Sequence, residues 1–97
     1  MRASFGEIGT TLMTSGVSEA MLGDVEFEIE IGKILGRYLE ADFSDMEYPE
    51  DIDANLKAIS GETEDRIVAT YKTCKGKVLI ITEWDRSATT LLFPQEY

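Results

Sequence analysis

The residues best suited to chemistry lie close together near the C-terminus, at positions 82–90 with the sequence TEWDRSATT. In an extended strand, the carboxylates of Glu83 and Asp85 would point to the same side. Such a pair can supply a general acid and a general base when burial separates the two pKa values. A tight turn uses the same side chains, because Asp85 can accept backbone hydrogen bonds and Arg86 can reach back to Glu83. The sequence favours the turn, and a recognition loop is the next alternative.

The rest of the sequence gives little support for catalysis. The chain has no histidine, the commonest general base, and contains no Gly-x-Ser-x-Gly, P-loop or Gly-x-Gly-x-x-Gly motif. Asp42, Asp45 and Glu47 offer carboxylate oxygens to a divalent cation, but they lack the spacing of a calcium-binding loop. We therefore expect no enzymatic activity, no catalytic residues, no metal site and no cofactor.

Cys74 is the single cysteine of the chain. Lys72, Lys75 and Lys77 are close to it in the sequence, and positive neighbours favour the thiolate form. A redox or nucleophilic role would usually need a second cysteine or a partner base, so an incidental surface cysteine is the simpler interpretation. One cysteine cannot form an internal disulfide, which fits a reducing cytoplasm.

The size of the chain indicates one small domain. Its 97 residues, 43% of them hydrophobic, are too few for two independent cores, so we predict a single domain over residues 1–97. The longest uninterrupted apolar run is four residues, whereas a transmembrane helix needs about 20. Residues 1–13 lack the apolar core of a signal peptide. We therefore expect a cytoplasmic protein.

Charge is distributed unevenly along the chain, whose formal net charge is −10. Residues 1–65 hold sixteen acidic and four basic residues, a net charge of −12, whereas residues 66–97 hold three acidic and five basic residues, a net charge of +2. A negative field repels phosphate backbones and anionic membranes and raises the encounter rate with basic partners. We therefore expect no direct binding to nucleic acid or membranes.

The segment 24–42 fits two kinds of secondary structure. Its first half alternates apolar residues with glutamates, as a half-buried strand does. A longer set of apolar residues follows the spacing of one helical stripe: Phe27, Ile31, Ile34, Leu35, Tyr38 and Leu39. Because the helical pattern is longer, we predict a helix over residues 26–40 with Asp24 as its N-cap. Gly32 and Gly36 each weaken this helix by about 1 kcal/mol relative to alanine, so packing must hold it.

Two further helices and a short strand are predicted from caps and turn residues. Residues 7–13 carry β-branched side chains and suggest a strand. Ser18 is suited to cap a brief helix that Gly23 ends. Pro49 suits the first position of another helix, and Gly61 follows its end.

The C-terminal third is β-rich. Residues 66–73, 77–84 and 89–94 are extended patterns separated by short turns, which argues for an antiparallel meander. We therefore predict an α+β fold, in which a three-stranded antiparallel C-terminal meander, with an N-terminal strand able to join it, packs against two or three helices.

Residues 80–97, IITEWDRSATTLLFPQEY, carry a resemblance to a known group of proteins. The segment resembles the C-terminal signature I-T-E-x-D-R-S-x-T-T-x-L-x-P-x-E-Y of small, largely uncharacterised bacterial proteins of plasmids, prophages and conjugative elements. A weaker similarity runs through residues 35–59, and residues 9–16 are similar only in outline. The family often has Gly-Asp-Trp-Gly at positions 41–44 and Pro-Gly-Ala at positions 15–17, where this chain differs. The resemblance implies a mobile-element setting and no established chemistry.

The acidic residues are themselves candidates for a functional surface. Double-stranded DNA presents one charge per ~1.7 Å of axis, and a helix advances about 1.5 Å per residue, so closely spaced acids approach a similar charge density. With the resemblance, this predicts a non-enzymatic DNA mimic that inhibits or regulates a basic nucleic-acid-binding protein, as an anti-CRISPR or anti-restriction protein would. The candidate partner-binding residues are Glu26, Glu30, Asp42, Asp45, Glu47, Glu50, Asp51, Trp84, Asp85 and Arg86.

Two alternatives remain open. One is a protein-interaction adaptor that makes a shape-specific contact through residues 84–87, with the acids serving solubility. The other is a carboxylate-based or metal-dependent enzyme, which predicts a concave pocket around Glu83 and Asp85 or a tightly bound ion.

Overall fold

The computed structural model describes residues 7–97 and has the predicted α+β architecture, in which one sheet packs against helices. The elements in chain order are β1 (Thr10–Met13), α1 (Ser15–Leu22), α2 (Val25–Leu39), α3 (Pro49–Ser60), β2 (Ile67–Thr73), β3 (Gly76–Thr82), β4 (Ala88–Leu92) and a final 3-10 turn (Pro94–Glu96). The predicted meander is confirmed, and the N-terminal strand joins it.

The sheet has the order β1-β4-β3-β2, with antiparallel β2–β3 and β3–β4 pairs. Strand β1 runs parallel to β4, and Thr10 lies opposite Ala88. We name the two ends of the sheet by the turns that they contain. The hairpin end contains the β2–β3 turn, residues 73–76, and the turn end contains the β3–β4 connection, residues 83–87.

Helix α2 resolves the conflict between the two periodicities in favour of the helix. The Asp24 side chain accepts a hydrogen bond from the Phe27 N–H at 3.1 Å, so the predicted N-cap is confirmed. Five of the six residues of the predicted stripe face the protein, whereas the prediction was wrong for Leu39, which is exposed. The five are Phe27, Ile31, Ile34, Leu35 and Tyr38. Packing thus holds a helix that its two glycines weaken.

The two shorter helices differ in how well their caps were predicted. Helix α1 begins earlier than expected, because Thr14 rather than Ser18 is its N-cap and accepts from the Val17 N–H. Helix α3 starts with Pro49 as predicted, and Gly61 ends it in the left-handed conformation at φ 85°.

The core lies between the helices and one face of the sheet. Inward residues alternate along β2 and β3, as the period of a strand requires. The fully or almost fully buried apolar side chains include Val17, Phe27, Ile31, Ile34, Tyr38, Phe43, Ala58, Ile67, Ala69, Tyr71, Val78, Ile80 and Leu91. All three helices therefore pack on the same face.

Residues 1–6 lie outside the described part of the chain, so the expectation about a signal peptide is only partly covered by the structure. Within residues 7–97, no helix combines the length and the hydropathy that crossing a membrane requires.

Candidate functional site

Residues 83–87 at the turn end form a tight turn. The Ser87 N–H donates to Oδ1 of Asp85 at 3.0 Å, and the Arg86 N–H donates to the Glu83 carbonyl at 2.9 Å. Hydrogen bonds from the Ser87 hydroxyl and N–H hold the pKa of Asp85 below its ordinary value. The Asp85 carboxylate is thus used by the turn, as the turn interpretation expects.

The Arg86 guanidinium connects this turn to helix α3. Its nitrogens donate to four backbone carbonyls, those of Ala58, Asp65, Glu83 and Trp84, at 3.0–3.2 Å. Arg86 does reach back to Glu83, but it contacts the carbonyl of that residue. The backbone of Arg86 is left-handed, with φ 60°. The donors of Arg86 are therefore directed into the fold.

A chain of buried hydroxyls lies under the turn, and no sequence pattern predicted it. Tyr38 Oη and Thr82 Oγ1 lie 2.7 Å apart, Thr82 Oγ1 and Thr89 Oγ1 also lie 2.7 Å apart, and Thr89 donates to the Ile8 carbonyl at 2.6 Å. Because Thr89 uses its proton on a carbonyl, Thr82 must donate to Thr89 and Tyr38 must donate to Thr82. Burial raises the pKa of Tyr38, which keeps its hydroxyl protonated as this direction requires.

Trp84 is the exposed member of the turn, with 63% of its surface accessible. Its ring lines an open groove of about 450 Å³ beside the C-terminal end of α3. The other lining residues are Ala58, Ile59, Gly61, Thr63, Glu64 and Arg86. The turn end therefore presents an aromatic side chain on a segment that Arg86 holds in place.

Asp42 and Asp45, two of the candidate partner-binding residues, are bound by Arg37 of helix α2. Arg37 Nε lies 3.0 Å from Asp42 Oδ2, and its terminal nitrogens lie 3.1 and 3.3 Å from the two oxygens of Asp45. The guanidinium carbon also lies 5.0 Å from the centre of the Tyr71 ring. These carboxylates stabilise the connection between α2 and α3, because they hold it against the sheet.

Asp45 and Asn55 both protect the edge of the sheet. No sequence pattern predicted this role for Asn55. Strand β2 is an edge strand, and its outward N–H and carbonyl groups need partners. Asn55 donates to the Val68 carbonyl at 2.9 Å and accepts from the Val68 N–H at 3.3 Å. Asp45 accepts from the Lys72 N–H at 3.0 Å. The two side chains thus occupy positions where another strand would bind.

The Arg37–Asp42 contact predicts a dependence of stability on pH. Hydrogen bonds from Ser44 and from Arg37 lower the pKa of Asp42 to about 2, and Arg37 also lowers the pKa of Asp45. A carboxyl whose folded pKa is depressed stabilises the fold above its unfolded pKa, near 4, and loses that effect as the pH falls through the folded pKa. The Asp42 contribution is about 2 kcal/mol.

We therefore expect the free energy of unfolding to decrease as the pH is lowered from about 5 to about 2. Urea denaturation of the wild type and of Asp42→Asn at several pH values checks this. The variant should be less stable at pH 6 and should change less with pH. Parallel pH profiles for the two proteins would contradict the assignment to Asp42.

Several acidic residues gather at the hairpin end because two helices begin there. Asp24, the N-cap of α2, pairs with Lys75 at 3.2 Å, and Glu30 accepts from the Cys74 N–H at 3.0 Å. Glu47, just before α3, lies 3.3 Å from Lys77. Since residues 74–77 all belong to or adjoin the β2–β3 turn, the N-termini of α2 and α3 must flank the same hairpin.

The first turns of these helices present exposed carboxylates. Glu26 and Glu28 lie in the first turn of α2, and Glu50 and Asp51 lie in the first turn of α3. All four are exposed, and none forms an ion pair with a lysine or arginine within residues 7–97. Acids at these positions also stabilise their helices through the dipole. We call these four residues the acidic end.

Cys74 lies among acids rather than among free lysines, which reverses the expected electrostatics. The Glu30 carboxylate raises the pKa of the Cys74 thiol to about 11. One ligand atom from each of Glu26, Glu30 and Cys74 lies within 4.8 Å of the others. The raised pKa disfavours the thiolate, which is the reactive form of a cysteine.

The candidate residues thus divide between the two ends of the molecule. Trp84, Asp85 and Arg86 belong to the turn end, and Glu26, Glu30, Glu47, Glu50 and Asp51 surround the hairpin end, whereas Asp42 and Asp45 are held by Arg37. Comparison of the chain with protein-family models, with curated proteins and with solved structures gives no match.

Proposed function

We propose that this protein is a non-catalytic cytoplasmic binding protein whose acidic end docks on a basic nucleic-acid-binding protein and inhibits or regulates it. The observation that carries the proposal is the convergence of two helix N-termini at one hairpin, which brings exposed carboxylates of both helices to the same end. The resemblance of residues 80–97 to mobile-element proteins supports a defence or DNA-processing enzyme as the partner.

The lysines near the acidic end are already engaged by other carboxylates. Lys75 and Lys77 already pair with Asp24 and Glu47, so they do not cancel the acidic end. Strands β2, β3 and β4 contain no aspartate or glutamate, so the helical layer and its connections carry most of the negative charge. A groove that binds phosphates is attracted by such a surface, and the attraction weakens as salt rises.

Charge reversal at the acidic end tests the proposal. We expect Glu50→Lys with Asp51→Lys to reduce binding of the partner at least tenfold, because attraction at the interface becomes repulsion. The measurement is capture from host lysate at low and high salt, followed by assay of the purified captured protein for nucleic-acid binding with and without this chain.

The matched control is Glu62→Lys with Glu64→Lys, which changes the net charge equally but lies after the C-terminal end of α3. Circular dichroism confirms that both variants are folded. Equal binding by the two double variants would refute the acidic end as the binding surface, and so would capture of a protein whose nucleic-acid binding this chain leaves unchanged.

A second candidate function is supported by Trp84. An exposed tryptophan on a turn that is held by four hydrogen bonds from Arg86 has the character of an interface anchor. In the same capture experiment, an adaptor predicts that Trp84→Ala abolishes binding and that salt has little effect. The acidic-end proposal predicts the opposite on both counts.

A further inference from the structure

The outward face of helix α2 carries an apolar stripe that no other element within residues 7–97 covers. Val25 and Ile29 are 72% and 54% exposed, and Leu39 is also exposed at the far end of the helix. Gly32 and Gly36 continue the same row, since residues 25, 29, 32, 36 and 39 alternate by four and three positions. This row lies opposite the buried stripe of α2, so the sheet does not use it.

No contact among the described residues, 7–97, requires glycine at the two glycine positions of the stripe. A Cβ atom added at Gly32 or at Gly36 would meet no heavy atom within 4 Å, and neither residue has a positive φ. Gly9, in contrast, is required, because a Cβ there would lie 2.3 Å from the Ser87 carbonyl oxygen. Glycine inside a helix lowers stability relative to alanine. Gly32 and Gly36 therefore weaken α2 and leave a shallow, open surface in return.

A surface of this kind suits close approach by another helix. Small residues four positions apart allow a helix backbone to come nearer than large side chains would allow. Val25 and Ile29 on one side of the glycines, and Leu39 on the other, provide apolar contacts along the 15 residues of α2. An amphipathic helix with an apolar ridge at i, i+3, i+4 and i+7 matches this row.

The charged residues beside the stripe indicate which kind of helix would bind there. Glu26 and Glu28 flank its first half on both sides, and Lys33 flanks its middle. We propose that the stripe docks a basic amphipathic helix of the partner, with lysine or arginine beside its apolar ridge. This inference rests on the proposed function and specifies which element of the basic partner is bound. A second copy of this chain is the poorer occupant, because each copy carries a net charge of −10.

The test uses a synthetic helical peptide about as long as α2, with a leucine ridge flanked by lysines. A matched peptide keeps the leucines and replaces the lysines with glutamates. We expect the lysine peptide to bind, to shift the backbone amide NMR signals of residues 22–40 most, and to bind at least tenfold more tightly than the glutamate peptide.

Variants of the glycines separate binding from folding. Gly32→Ala and Gly36→Ala should each raise the melting temperature by about 4–8 °C, because alanine favours the helix, and should weaken peptide binding. Gly36→Leu, which fills the surface, should reduce the affinity at least tenfold. A loss of binding in a more stable protein cannot result from unfolding.

The outcomes are distinguishable from those for the acidic end. Unchanged affinity in Gly36→Leu, no binding of the lysine peptide, or self-association of the wild type through this face in sedimentation would each overturn the inference. If Glu50→Lys with Asp51→Lys abolishes capture of the partner while Gly36→Leu does not affect either assay, the proposed function stands and the inference fails. If Gly36→Leu reduces both peptide binding and capture of the partner, and Glu50→Lys with Asp51→Lys reduces neither, the inference stands and the acidic end is not the binding surface.

Discussion

Replacing Arg86 with alanine is expected to lower the free energy of unfolding by about 3 kcal/mol, one of the largest effects of a single substitution in this chain. The variant removes the donors for four backbone carbonyls, among them the partly buried carbonyl of Ala58 at 3.0 Å. Arginine and alanine both place a β-carbon in the left-handed conformation at this position, so backbone strain is the same in the two proteins and does not add to the loss. Urea denaturation measures the change.

Two further substitutions test the backbone strain and the Glu83 carboxylate separately. Arg86→Gly relieves the backbone strain while removing the same hydrogen bonds, so it should be about 1 kcal/mol more stable than Arg86→Ala. Glu83→Gln should change stability little, because Arg86 donates to the Glu83 carbonyl and not to its carboxylate. A large effect of Glu83→Gln, or wild-type stability in Arg86→Ala, would show that Arg86 does not connect the turn to α3.

Thr89→Val is expected to destabilise the protein by about 2–3 kcal/mol, because it removes the hydroxyl that links Thr82 to the Ile8 carbonyl. The shape of the side chain is kept, so the cost arises from buried polar groups left without partners. Thr82→Val should be similarly costly, since it removes the buried hydroxyl that contacts both Tyr38 and Thr89. Tyr38→Phe should cost least, because the Tyr38 hydroxyl lies at the end of the chain and contacts one of the two threonines.

Thermal unfolding of the three variants measures this order, and a double-mutant cycle between Thr82 and Thr89 measures their coupling. This order of destabilisation tests the direction in which the hydroxyl groups donate their hydrogen bonds. If Tyr38→Phe proves the most harmful, the protons point the other way along the chain. Additive effects of the two threonine variants would contradict the short contact between them.

The local features of the fold were predictable because they depend on near neighbours in the sequence. The helical stripe of α2, the Asp24 cap, Pro49 at the start of α3 and Gly61 at its end each involve interactions within a few residues. The exception is the cap of α1. Ser18 and Thr14 are both good caps by type, and only the packing of Val17 places the start of the helix at Ser15.

The long-range features were not predictable from the sequence. Thr82 and Thr89 have the composition of ordinary strand residues, and their hydroxyl chain to Tyr38 depends on a contact across 44 positions. Asn55 carries no sequence signal of its bonds to Val68, since a polar residue on a helix is usually solvated. In each case the partner is decided by the tertiary fold.

The charged surface of the candidate site could also be predicted only in part from the sequence. The sequence locates the excess of acid in the first two thirds of the chain, and the structure agrees that the strands of the meander carry none. The sequence does not distinguish Asp42 and Asp45, which Arg37 holds, from Glu50 and Asp51, which are exposed and form no ion pair within residues 7–97. That distinction needs the geometry of the α2–α3 connection, and it moves the proposed surface to the helix N-termini.

The parallel pairing of β1 with β4 has a consequence for biosynthesis. Thr10 pairs with Ala88, and the Thr14 hydroxyl donates to Glu96 across 82 positions at 2.7 Å. The ribosome must therefore synthesise the chain as far as β4 before β1 finds its neighbour in the sheet. In nascent chains that stop before β4, β1 has no strand to pair with, so the sheet closes only after β4 has been made.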